Sequence, residues 1–318
     1  MSRLKTRHCP FILSIFLLSM TSWVQAETLD RLAYLRLGIS VSDLGNPYFA
    51  ALAQGAKRQA QALVESDQVE TLLYSSAYDV ERQTQQIESF IEQSVDMILV
   101  SAAVFDAFEA VIDRAQSRGI PVLAVDVKAL GADATVTTHN YQAGHLACDQ
   151  LAQHLNFQGD VVILNGPPVS SIIERVEGCQ QALAQYPAIR LISSDLNTGG
   201  SREGGLETMT HVLTRYPDIQ GVFSINDPAA LGAEMAGQQA GKRNFVIASV
   251  DGAPSFISRL QADDSLLLGT ATQSPAKMAE LAVQMGYDLL QGKALNLREV
   301  LIPARWVNAA NLDAAEVW

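Results

Sequence analysis

An alternation running through most of the chain limits the fold more than any other feature. Short runs rich in β-branched residues recur at 35–42 ("LRLGISVS"), 69–75, 95–101, 120–126 and 134–140. They continue at 160–166, 189–195, 219–225, 244–251, 266–273 and 299–303. Between most of them lies a stretch with helical spacing, such as "QTQQIESFIEQS", where Ile87, Phe90 and Ile91 share one face. Near-continuous apolar strands alternating with helices predict parallel sheets covered on both faces, an α/β fold. The length suits two domains of ordinary size. No low-complexity tract or Pro/Ser-rich linker divides the chain. A two-lobed arrangement therefore requires several crossings between the lobes.

An internal echo supports two similar halves. "SRGIPVLAVD" ends at Asp126 and "GKRNFVIASVD" ends at Asp251, each an apolar strand with an acid at its carboxyl end. In open α/β sheets ligands bind outside those ends. Two sheets facing each other would place Asp126 and Asp251 across one cleft. Taken singly, either acid reads better as a helix N-cap or turn residue, and it is the paired occurrence that favours a site.

The stretch "SDLGNPYF" follows the first predicted strand. Asn46 is a good N-cap and Pro47 suits the first helical position, where its missing N–H costs nothing. Tyr48 and Phe49 are harder to place. Neighbours on a helix point about 100° apart, so packing against the sheet accounts for only one of them and the other needs a further role, such as a wall of the cleft.

The N-terminus has three parts: basic "MSRLKTRH", apolar "FILSIFLLSM", and "TSWVQA" ending in small residues. This is the layout of a secretory signal peptide, with cleavage expected after Ala26 and a destination in the periplasm. Cleavage removes Arg3, Lys5 and Arg7, leaving 19 Lys+Arg against 34 Asp+Glu and a formal charge of −15. Such a surface repels nucleic acid and anionic membrane. The histidines form no HExxH, the cysteines have no metal spacing, and no metal or other cofactor is expected. "NTGGSREGG" is Gly-rich but matches neither a phosphate loop nor a dinucleotide fingerprint.

Seven stretches in order complete the pattern: "SDLGNPYFAALAQGAKRQA", "VDMILVS", "IPVLAVD", "ERVEGCQQAL", "YPDIQGVFSINDPAALGA", "VDGAP" and "GTATQSP". With them the chain resembles the type I periplasmic sugar-binding proteins, nearest the ribose-binding branch serving ABC transporters, from about Leu37 to Pro303. The resemblance implies two Rossmann-like lobes with parallel sheets, joined by three crossovers near Thr138–His139, Gln273–Ser274 and Arg305. It implies an N-terminal lobe of 27–138 plus 274–304 and a C-terminal lobe of 139–273 plus 305–318. It implies a ligand site in which Asn46, Tyr48 and Phe49 contact a sugar. Asp126, Arg175, Asn226, Asp251 and Gln273 would bond its hydroxyls, and Ser42 and Ser101 would line the site. The residue types fit a neutral polyhydroxy ligand: carboxylates accept from adjacent hydroxyls, Arg donates in a fork, and an aromatic ring covers a sugar's C–H face. The chain departs from the ribose-type pattern at three positions. Val127 stands where that pattern has Arg, Val250 replaces an aromatic, and Gly occupies an aromatic wall position near Gly200. The pocket is expected to be less polar on one side and roomier on another.

The implied function is a monomeric solute receptor, not an enzyme, that delivers a sugar or polyol to a membrane ABC permease by closing its cleft. The alternative is a sensor subunit presenting its ligand to a chemoreceptor or sensor kinase. Arg175 has a second reading, a surface residue pairing with Glu174 or Glu177. Cys148 and Cys179 are expected to be two compact buried thiols. A disulfide is open to them in an oxidising compartment, provided their Cα atoms lie within about 7 Å.

Overall fold

The computed structural model describes residues 34–314 and 318. The expected signal peptide, residues 1–26, lies outside the described residues.

The predicted alternation is present. In the first half, strands β1 (Leu35–Val41), β2 (Val69–Ser75), β3 (Met97–Val100), β4 (Val122–Val125) and β5 (Ala134–Thr138) alternate with helices. The helices are α1 (Pro47–Leu63), α2 (Val80–Glu92) and α3 (Glu109–Ser117). The second half repeats the plan. Its strands are β6 (Gln158–Asn165), β7 (Ala188–Asn197), β8 (Gly221–Ser224), β9 (Val246–Asp251) and β10 (Leu267–Thr272). Its helices are α4 (Asn140–His154), α5 (Ser170–Leu183), α6 (Arg202–Arg215), α7 (Asp227–Gln239) and α8 (Pro254–Leu260). Helix α9 (Pro275–Leu290) and strands β11 (Glu299–Ile302) and β12 (Trp306–Val307) complete the described elements.

Two six-stranded sheets result, ordered β11-β5-β4-β3-β1-β2 and β12-β10-β9-β8-β6-β7. The first is parallel throughout. In the second, the two-residue β12 runs antiparallel to β10. The chain passes between the sheets after β5, after β10 and between β11 and β12, which makes three crossovers. Strands β3, β4 and β8 are buried along their whole length, as expected of strands covered on both faces. One predicted strand end overshoots at an acid. The run to Asp126 stops at Val125 because Asp126 adopts φ 66°, which breaks the extended chain.

The expectation of two separate thiols does not hold. Cys148 and Cys179 form a disulfide, with Cα atoms 5.0 Å apart. Their helices approach as closely as backbones allow. A Cβ on Gly144 would lie 1.9 Å from the Arg175 carbonyl oxygen, and one on Gly178 would lie 2.0 Å from the Tyr141 carbonyl oxygen. Gly144 sits one turn before Cys148, and Gly178 immediately precedes Cys179. The two glycines bring α4 and α5 together at the level where the cysteines face each other.

Candidate functional site

The carboxyl ends of the strands in both sheets meet at one cleft. Asn46 caps α1, its side-chain oxygen accepting from the Tyr48 N–H at 3.0 Å. The cap starts the helix at Pro47 and turns both aromatics inward. Tyr48 and Phe49 are each buried, with rings 5.2 Å apart and nearly perpendicular. The placement of both aromatics at the site, expected from the resemblance, is what the structure has. At the first turn of α1 both directions lead into protein, and both side chains border the cleft. Trp318 packs edge-on against the Tyr48 ring at 5.6 Å.

The two strand-end acids lie in the same cleft, as the echo predicts. Asp126 Oδ1 accepts from the Tyr48 hydroxyl at 2.8 Å. Asp251, at the end of β9 with φ 144°, accepts at Oδ1 from the Gln273 amide at 2.7 Å. The Gln273 oxygen in turn accepts from the Thr138 hydroxyl at 2.7 Å. Arg175 is 4% exposed, which rules out the surface reading. Its Nε donates to Asn140 Oδ1 at 2.8 Å, one terminal nitrogen donates to the Ile225 carbonyl at 2.8 Å, and the same nitrogen stands 3.5 Å from Asp251 Oδ1. Glu174 pairs instead with Lys128, at 2.8 Å. Asn226 caps α7 and also donates to the Gly200 carbonyl at 2.8 Å. Ser42 borders the cleft, while Ser101 stands behind it, its hydroxyl 3.4 Å from that of Ser42. Nine of the ten residues expected from sequence therefore border one cavity, and Ser101 supports it from the second row.

The pocket is less polar on one side, as expected: Val127, Val169, Ile172 and Ile225 line it. It is not roomier near Gly200. A Cβ there would meet the Asn226 amide nitrogen at 3.2 Å, so that side chain fills the space. The cavity is small, about 40 Å³. Polar groups that line it bond one another, Tyr48 to Asp126 and Gln273 to Asp251. A larger open hollow of about 770 Å³ includes Gln158, Gln220 and Phe245 in its lining. These residues precede or begin strands of the second sheet, so the hollow lies at the end opposite the one where open α/β sheets bind ligands.

Sequence reading missed Asp227 and Tyr78. Asp227 is fully buried. Its Oδ2 accepts from the backbone N–H of Gly252 at 2.9 Å and of Ala253 at 2.7 Å, and its Oδ1 accepts from the Thr270 hydroxyl at 2.9 Å. It holds the turn that aims Asp251 into the cleft. In sequence it is indistinguishable from an ordinary acid in a first helical turn. Tyr78 borders the cavity from the loop after β2, where no local pattern marks it.

Burial raises the pKa values of the cleft acids. Asp126 is held above its ordinary value by desolvation, which the Arg175 charge and hydrogen bonds from Tyr48 and Ser101 only partly offset. Asp251 is pushed up to about 6 by the same cause, against the pull of Arg175 and Gln273. A carboxyl that binds its proton more tightly when folded makes stability fall as pH rises from its unfolded value, about 4, to its folded value. Denaturant unfolding of the ligand-free protein between pH 4 and pH 6 is expected to show this fall. Asp251→Asn should flatten it, and a variant profile parallel to wild type would refute the assignment.

The comparisons agree with this geometry. Residues 37–294 match a family model described as periplasmic binding protein domain. The ribose import binding protein RbsB of Bacillus subtilis is 30% identical over 88% of this chain and 92% of its own. A periplasmic solute binding protein from Actinobacillus succinogenes, solved with bound D-allose, superposes with a TM-score of 0.79 at 25% identity. That match covers 88% of this chain and 99% of the other. The fructose-binding periplasmic domain of a hybrid two-component system superposes equally well, with a TM-score of 0.79 at 25% identity, covering 88% of this chain and 92% of that domain.

Proposed function

The chain belongs to the periplasmic binding protein domain family, in its type I sugar-binding branch, and from that premise we propose that it is an exported receptor for a neutral sugar or polyol. It hands its ligand to a membrane ABC permease. One observation carries the reading. Asp126 from the first sheet and Asp251 from the second converge on one cavity with Arg175, Asn226 and Gln273. This donor and acceptor set matches hydroxyls pointing in several directions and carries no excess of cations suited to an anion. The ligand-binding residues in this reading are Ser42, Asn46, Tyr48, Phe49, Ser101, Asp126, Arg175, Asn226, Asp251 and Gln273. The lobes are 27–138 with 274–304, and 139–273 with 305–318. Residues 1–26 serve as the signal peptide, and the mature receptor acts as a monomer in the periplasm. The matched relatives are named as binding proteins, and the reading is of binding without catalysis.

Closure follows from the small cavity. Ligand exchange at a site between two lobes proceeds by hinge opening at the crossovers. Lys128 bridges the lobes when they are together, its ammonium contacting Glu174 and its backbone N–H donating to Ser170 Oγ at 2.9 Å. A thermal-shift screen of the mature protein against pentoses, hexoses and polyols should find ligands that raise the melting midpoint. At a thousand-fold excess over Kd the stabilisation is about 4 kcal/mol. Solution scattering should then show the radius of gyration falling when such a ligand is added. A tight ligand that leaves the radius unchanged would sink the closure mechanism.

A second reading, a sensor subunit, has one observation in its favour, the likeness to the periplasmic domain of a two-component system. Both readings use the same cleft. Loss of uptake of the labelled ligand on deletion of the gene separates them, since a pure sensor leaves constitutive transport intact.

A further inference from the structure

The cavity is lined by two chemically different sets of side chains. Asp126, Asp251, Asn226 and Gln273 offer acceptors and donors. The same lining includes Val127, Val169, Ile172 and Ile225, whose side chains offer only hydrocarbon. The apolar residues come from the same chain turns as the polar ones: Val127 directly follows Asp126, and Ile225 directly precedes Asn226. All four belong to one hydrophobic cluster of buried side chains, against which Tyr78 packs. The δ-methyls of Ile172 and Ile225 also converge, each 3.1 Å from where a Cβ on Gly166 would lie.

Resting on the receptor reading, we infer that the site selects a sugar or polyol with one edge free of hydroxyls, a deoxy or C-methyl compound, and that Tyr78 closes over that edge. A hydroxyl pressed against Val127 and Ile225 gives up its water and gains no partner, whereas a methyl or methylene there gains dispersion contacts. Tyr78 is built for such a role at a cost to the backbone. It adopts φ 60° directly after Ala77 at φ 52°, a left-handed pair that bulky residues rarely occupy and that clusters at functional positions. Its ring lies at the cavity, and its hydroxyl has no hydrogen-bond partner among the described residues. The hydroxyl is thus available to a ligand group beside the apolar edge. Tyr48, by contrast, has its proton committed to Asp126.

The test is calorimetric titration of the mature protein with matched pairs: L-fucose and L-galactose, D-fucose and D-galactose, L-rhamnose and L-mannose, 2-deoxy-D-ribose and D-ribose. The deoxy member of the best-bound pair is expected to bind at least tenfold tighter than its parent. Val127→Thr, which puts a hydroxyl in nearly the same volume, should shrink that ratio to threefold or less, and Tyr78→Ala should weaken the deoxy member at least tenfold. A parent sugar that binds as tightly as its deoxy partner, or tighter, overturns this inference and leaves the receptor reading standing. Absence of binding by every member of every pair also overturns this inference, while the receptor reading stands or falls with the wider thermal-shift screen. Because the ratio is measured on the wild type, the inference stays testable even if a variant fails to fold.

Discussion

Arg175→Met is expected to lose about 3–5 kcal/mol of stability and to leave no measurable affinity for a sugar that the wild type binds. The guanidinium is almost fully enclosed and serves three partners: Asn140, the Ile225 carbonyl and Asp251. Its charge also holds down the pKa of both cleft acids. Methionine fills much of the volume but leaves two buried carboxyls without a cation and strands two acceptors. The loss should be greatest above pH 6, where Asp251 is ionised. Below that pH, protonation of the acid relieves part of it. Arg175→Lys keeps the charge and loses the planar fork. It is expected to fold and to bind at least tenfold more weakly, about 1.4 kcal/mol. Urea unfolding at pH 7 and calorimetric titration decide the matter. An unchanged midpoint and an unchanged Kd in the methionine variant would remove Arg175 from the site.

Replacing both cysteines, Cys148→Ala with Cys179→Ala, is expected to cost roughly 3–4 kcal/mol, the loop entropy of a bridge this far apart in sequence. The sequence separation is 31 residues. Neither alanine clashes, so the native helix pair survives, and the loss arises mainly in the unfolded chain, which regains its freedom. Reductant should lower the wild-type midpoint by a similar amount and leave the double variant untouched. A double variant within about 1 kcal/mol of wild type would mean that the unfolded chain retains the contact between α4 and α5 without the bridge.

The features legible in advance are those written locally. The apolar runs carry the period of covered strands, and the turn residues between them mark where helices start. Asn46 is an N-cap in sequence and in space, its amide oxygen accepting from the helix it begins. The paired strand-end acids were visible because the two halves repeat one plan, and topology fixes where the carboxyl ends of parallel strands must lie. Arg175 was assignable only through family resemblance, since an Arg after two isoleucines and Glu174 on a helix has no local mark of burial.

By itself, then, the sequence determined the α/β alternation, the helix starts and the convergence of Asp126 and Asp251, all consequences of chain periodicity and parallel-strand geometry. Tertiary structure alone decided the rest. It joined Cys148 to Cys179 through the approach of Gly144 and Gly178, filled the space beside Gly200 with Asn226, and set Asp227 behind Asp251. It also brought Tyr78 and the hydrocarbon wall to the cavity. Each of these depends on which distant surfaces touch and at what separation. That is set by the summed packing of both lobes, and no short stretch of chain carries it.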